Sequence, residues 1–171
     1  MTASLKGGTL ATYLTLPVEL VGFRKVLVAT DGSENAERAT DTAIEIAKRY
    51  QAKLVVVNIV PPPGGLMLAS ESATPQSAVV TEQYYKNSRT RAKKLVDRVA
   101  SKAKAEGVDV VGRFADGSVS VVEMITRLAE EEKADLVVVG TRGLAGFKKL
   151  LLGSVSGGVV THAHCSVLVV R

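Results

Sequence analysis

The sequence predicts an α/β fold, a single doubly wound domain of five parallel strands and about four helices, and three observations predict it. Five runs rich in Val, Leu and Ile are nearly continuous rather than alternating, as in strands covered on both faces. Helical periodicity separates them, and such βα alternation closes through right-handed crossovers. The length of 171 residues suits one compact domain.

The first strand is Lys25–Thr30. Ser33 then caps a helix in which Ala36, Ala39, Ala43, Ile46, Ala47 and Tyr50 recur at three- and four-residue spacing. Lys53–Val60 is the second strand. The connection from Pro61 to Thr74 opens Pro-Pro-Pro-Gly-Gly and has the length of a functional lid. A long helix from Pro75 to Glu106 turns Ala92, Leu95, Val96, Val99 and Ala103 inward and is closed by Gly107. Val108–Phe114 carries Asp109 and Gly112, which marks it as an edge strand. The third helix spans Ser118 to Lys133 with Val121, Val122, Ile125, Leu128 and Ala129 inward, and Ser120 and Glu123 stand at capping-box spacing inside its first turn. Asp135–Gly140 is the fourth strand and Ser166–Val170 the fifth. Between them runs a short helix, Ser154 to Ala163, softened by Gly157 and Gly158 at roughly 1 kcal/mol each relative to Ala. Residues 1–22 read as an N-terminal extension ahead of a domain at 23–171.

Composition narrows the function. With 46 % hydrophobic and 23 % charged residues the chain is neither disordered nor collagen-like. Aromatics make up only 4 %, which leaves few platforms for stacking bases and makes nucleic acid an unlikely partner. One cysteine, Cys165, has no intramolecular disulfide partner and suits a reducing cytoplasm. The apolar stretch from Gly7 to Val18 is too short to span a bilayer. Residues 1–85 hold 7 basic and 8 acidic groups and residues 86–171 hold 15 and 9, so an anionic partner is expected in the second half.

The strongest chemical signal begins where the fourth strand ends. Gly140-Thr141-Arg142-Gly143 is followed, nine residues on, by Gly153-Ser154. Phosphate binding calls for bare backbone N–H groups, a helix amino end and a hydroxyl, and this segment offers all three. Arg142, Lys148 and Lys149 add positive charge. Neither the Walker spacing nor the G-x-G-x-x-G dinucleotide spacing fits. On this reading Gly140→Val or Gly153→Val abolishes nucleotide binding and leaves the fold intact, because the new side chain fills phosphate space. His162, His164 and Cys165 resemble a metal trio, but residues two apart on a helix face different sides and no fourth ligand is evident, so no protein-held metal is expected.

These residues carry a resemblance. The spacing G-2x-G-9x-G-S at Gly140, Gly143, Gly153 and Ser154, with Val-Leu-Val-Ala-Thr-Asp-Gly-Ser at 26–33, Ala-Asp-Leu-Val-Val-Val-Gly at 134–140 and Cys-Ser-Val-Leu-Val-Val at 165–170, resembles the ATP-binding branch of the universal stress protein family. The resemblance implies a sheet of order 3-2-1-4-5 with ATP, or another adenine nucleotide, between the first and fourth strands. It places Ala29, Thr30 and Asp31 beside the nucleoside and the backbone near Ile59 against adenine. Val139, Gly140, Arg142 and Gly143 would follow the sugar and phosphates, and Gly153, Ser154, Val155 and Ser156 would surround the phosphate tail. Asp31 is expected on ribose hydroxyls, with Mg²⁺ or Mn²⁺ held mainly by phosphate oxygens. A homodimer through 166–170 is implied as well. Ser166 stands where such sequences commonly have Pro.

The expected activity is a nucleotide-dependent sensor or switch in the stress response. No Gln, Glu or His in the phosphate loop positions an attacking water, so hydrolysis should at most be slow. Two other readings stay open at this stage. One is an ATPase or phosphotransferase completed by the loop 61–74 or by a partner. The other is an adaptor that binds RNA or acidic partners through the basic helix segment 86–104, where Lys86, Arg89, Arg91, Lys93, Lys94, Arg98, Lys102 and Lys104 face Asp97 alone; the plainer reading of that run is a solvated helix face.

Overall fold

The computed structural model describes residues 22–61, 75–116, 120–141 and 152–171. In chain order the elements are β1 Lys25–Ala29, α1 Glu34–Tyr50, β2 Lys53–Val60, α2 Pro75–Ala105, β3 Val110–Asp116, α3 Val121–Glu131, β4 Leu136–Gly140, α4 Ser154–His162 and β5 Ser166–Val170. The strands form one sheet of order β3-β2-β1-β4-β5, with every pairing parallel. Fold class and strand order are those expected.

The continuous apolar runs are explained by burial on two faces. Val28 lies beside Val56 on one side and Val138 on the other, and all three are fully buried. Because successive side chains alternate, Val26, Val28, Leu54, Val56, Leu136 and Val138 enter a core shared with α1 and α2. Leu27, Val55, Val57, Val137 and Val139 enter a second core with α3 and α4. Each such side chain contributes roughly 1.5–3 kcal/mol when removed from water. Asp135 does not begin β4. Its carboxylate instead accepts from the backbone N–H of Arg24 at 2.8 Å and of Lys25 at 3.2 Å, which holds the starts of β1 and β4 in register.

Helix ends follow local chemistry. Ser33 is the N-cap of α1 and accepts from the Ala36 N–H. Within α1 the buried isoleucine is Ile44, 1 % exposed, whereas Ile46 and Tyr50 are half-buried; the core stripe runs through Ala39, Thr40, Ala43, Ile44 and Ala47. Ser120 caps α3 directly and accepts from the Glu123 N–H at 3.0 Å, so α3 starts one residue after it and not at Ser118. Gly107, at φ +81°, ends the turn after α2. Val108 therefore bonds back to the Ala103 carbonyl at 3.0 Å and precedes the strand, which runs from Val110 to Asp116 at the sheet's edge. Gly158 does more than soften α4. A Cβ there would lie 2.7 Å from a Val122 methyl, so its absence lets α4 close on α3.

Candidate functional site

Chain direction reverses its progress across the sheet at β1, whose two neighbours are β2 and β4, and the crevice outside the carboxyl ends at such a point is the natural ligand position in a parallel sheet. A cavity of about 770 Å³ occupies it. Ala29, Thr30 and Asp31 line it from the end of β1, Ile59 from β2, and Val139 and Gly140 from β4. Gly153, Ser154, Val155 and Ser156 line it from the start of α4. Arg142, Gly143, Lys148 and Lys149 lie outside the described residues, as do residues 62–74 of the long connection.

The floor is tied together by Thr30, which is 5 % exposed. Its N–H donates to the Val57 carbonyl at 2.9 Å, its hydroxyl accepts from the Gly32 N–H at 3.3 Å, and its carbonyl accepts from Asn58 Nδ2 at 2.6 Å. Asn58 also lines the cavity. Since only its amide nitrogen can donate to a carbonyl, its Oδ1 is the atom left to accept from a ligand. Asp31, half-buried, accepts from the Ser33 N–H at 3.0 Å and so shapes the turn into α1. It is the one carboxylate lining the cavity among the described residues.

Gly140 has a further reason for lacking a side chain beyond the one the sequence suggests. A Cβ there would stand 2.8 Å from the Asn35 carbonyl carbon, 2.9 Å from its oxygen and 3.0 Å from the Ala36 nitrogen. The missing atom makes room for the first turn of α1, so the expectation that Gly140→Val spares the fold is corrected.

At α4 the cap residue Gly153 offers no side-chain bond, while its N–H donates to the Thr141 carbonyl at 2.7 Å. The first intrahelical donor seen is Gly157, bonded to the Gly153 carbonyl at 2.9 Å. As the first three residues of α4, Ser154, Val155 and Ser156 have amides with no acceptor inside the helix itself, and they carry the positive end of the helix dipole. Ser156 is 2 % exposed and its hydroxyl lies 3.0 Å from the Thr141 carbonyl and 3.1 Å from that of Gly153. That hydroxyl braces the loop; what Ser156 offers a ligand is its backbone N–H.

Sequence reasoning missed the wall supplied by α2. Tyr84, Ser88, Arg91, Ala92 and Leu95 line the cavity at helical spacing, and the Tyr84 hydroxyl donates to the Pro61 carbonyl at 3.2 Å. Four of the eight cations of the basic run are paired among the described residues. Arg89 pairs with Asp116, Lys93 with Asp97, Arg98 with Glu37 and Lys102 with Asp41. The last two roof a second cavity of about 220 Å³ between α1 and α2. At the other end of the sheet, His164 Nε2 lies 3.2 Å from the Ala134 carbonyl. The Cys165 thiol is pushed above its ordinary range by burial and then by the charge of Asp135. No group of three or more His, Cys, Asp or Glu among the described residues is placed to hold a metal, and no helix among them is long and apolar enough to cross a membrane.

A sequence model of the universal stress protein family matches residues 22–171. A protein of Staphylococcus aureus strain USA300 that bears the family's name is 36 % identical over 154 residues, covering 89 % of this chain and 86 % of that protein. Among solved structures, the universal stress protein UspA from Lactobacillus plantarum superposes with a TM-score of 0.76 at 25 % identity, covering 88 % of this chain and 99 % of that one. A universal stress protein in complex with cAMP gives 0.63 at 32 % identity, covering 88 % and 98 %.

Proposed function

The chain belongs to the universal stress protein family, and from that premise we propose that it binds an adenine nucleotide, ATP foremost, in the cavity at the ends of β1 and β4 and acts as a nucleotide-dependent sensor or switch in the stress response. The observation that carries this reading is the amino end of α4, where the cap residue Gly153 makes no side-chain bond and Ser154, Val155 and Ser156 line a cavity of nucleotide size. Ligand cavities commonly measure about 300–1,000 Å³. A helix amino end is suited to a polyanion.

In this reading the phosphates lie along Gly140, Arg142, Gly143 and Gly153 to the α4 amides. Asp31 accepts from ribose hydroxyls, and adenine meets the backbone at Ile59, with Asn58 Oδ1 as a further acceptor for its amine. Ala29, Val139 and Val155 add apolar surface to the lining for the sugar and base. Asp31 is a single carboxylate among the described lining residues. One oxygen donor fits Mg²⁺ or Mn²⁺ held mainly by phosphate oxygens, with the ion neutralising charge that the protein does not. A similar structure holds cAMP, which supports the adenine reading. Asp31, the one carboxylate among the described lining residues, is taken up by the ribose in this reading and leaves no described lining side chain to activate water, so turnover well below about 1 per second is expected.

β5 lies at the sheet's edge with Val167, Leu168, Val169 and Val170 half-buried, which favours a homodimer covering that edge. The lone Cys165 favours the cytoplasm. Calorimetry of the purified chain with Mg-ATP tests the main reading. One saturable site per chain is expected; no heat with any adenine nucleotide would remove it.

A further inference from the structure

We propose that Arg91 of α2 is a second anion-binding group of the cavity and reads the ligand's phosphates from the face of the sheet opposite α4. The proposal rests on the nucleotide reading above and adds to it a residue and a charge requirement. Helix α2 runs antiparallel to the strands, since Val96 packs where a Cβ on Gly112 would lie and Arg89 pairs with Asp116, further along β3. Leu95, on the same helix, comes within 3.4 Å of a Cβ position on Gly32, beside Asp31. Arg91 is one turn nearer the amino end of α2 than Leu95. That turn carries it past the carboxyl end of β1 to where the cavity opens, and Arg91 lines the cavity there.

Charge pairing and position together single it out: Lys86, Lys94 and Lys104 also hold no carboxylate among the described residues, but none of them lines the cavity. Four cations on this helix, Arg89, Lys93, Arg98 and Lys102, hold carboxylates from α1, α2 or β3. Arg91 pairs with no described carboxylate, and it is the one cation among the described residues lining the cavity. An exposed guanidinium on the lining of a largely apolar cavity offers a planar fork of donors, which matches phosphate oxygens. With α1 and α2 on one face of the sheet and α3 and α4 on the other, a phosphate chain would be gripped by the α4 amides from one side and Arg91 from the other.

The test is calorimetric titration of wild type, Arg91→Ala and Lys86→Ala with ATP and with adenosine. Lys86 is an exposed cation of the same helix outside the cavity lining. Arg91→Ala should weaken ATP binding about 10- to 100-fold, the range of a charge-assisted hydrogen bond, and change adenosine binding less than about twofold. Lys86→Ala should leave both within about twofold. Unchanged ATP affinity in Arg91→Ala overturns the proposal and leaves the nucleotide reading standing. Equal loss for ATP and adenosine overturns it by placing Arg91 on the nucleoside, and equal loss in Lys86→Ala overturns it by showing a diffuse field. A wild-type chain that takes up neither ligand brings down the nucleotide reading itself.

Discussion

Gly140→Ala tests what a glycine at the heart of the phosphate motif does. The smallest side chain places one carbon 2.8–3.0 Å from Asn35 and Ala36 backbone atoms in the first turn of α1, and backbone cannot swing aside as a flexible side chain would. Either β4 or the start of α1 must shift. Inserting a carbon into a packed interior costs about 1–3 kcal/mol. For a domain of this size each kcal/mol moves the melting temperature by about 2–4 °C, so the variant should melt about 2–12 °C below wild type without ligand. The matched control is Gly157→Ala. A Cβ there meets nothing within 4 Å, and replacing a helical glycine should stabilise by about 0.5–1 kcal/mol. Thermal melts by circular dichroism read both. A Gly140→Ala melt within about 1 °C of wild type, accompanied by lost nucleotide binding, would refute the packing argument and restore a purely ligand-facing role.

Three further expectations follow from single bonds and one titration. Ser156→Ala removes the hydroxyl that braces the Thr141 and Gly153 carbonyls; a loss of about 1 kcal/mol in urea unfolding is expected, and an unchanged midpoint would contradict it. Asn58→Leu leaves the Thr30 carbonyl without its side-chain donor; destabilisation of about 1–3 kcal/mol is expected, together with weaker nucleotide binding, and retention of both would count against the Asn58 role. Burial, and secondarily Asp135, raises the Cys165 thiol. In the alkaline window between the ordinary thiol range and the raised value, the folded chain keeps a proton that the unfolded chain has lost, so folding weakens as pH rises through it. Iodoacetamide at about pH 8.5, near the ordinary thiol value, should label the native thiol more slowly than the urea-unfolded one, and equal rates would contradict the shift.

How much was legible in the sequence depends on whether a feature is local. Val26–Val28, Val55–Val57 and Val137–Val139 announce doubly covered strands because burial on both faces removes any need for polar alternation. Ser33 and Ser120 announce helix starts because a cap needs only its own turn. The choice between Ile44 and Ile46 was not legible: both sit at permitted spacings from the alanines, and the packing of α1 on the sheet decided for Ile44. The packing constraint on Gly140 was not legible for the same reason, since it comes from Asn35, more than a hundred residues earlier. Of the site, the glycines and Ser154 were readable from motif spacing and the remaining residues through the family resemblance, and the structure brings ten of the twelve named into one cavity lining, with Arg142 and Gly143 outside the described residues. Asn58 left a signal, a lone amide in Lys-Leu-Val-Val-Val-Asn-Ile-Val. The α2 wall left none, because Tyr84, Ser88 and Arg91 look like any solvated helix face until the helix is laid over the strand ends.

Backbone amide spectra of the ¹⁵N-labelled chain, titrated with Mg-ATP and separately with adenosine, test the central claim most directly. Phosphate held by the amino end of α4 should shift the Ser154, Val155 and Ser156 amides strongly with ATP and only weakly with adenosine. Saturating Mg-ATP that leaves those three resonances in place would contradict the account.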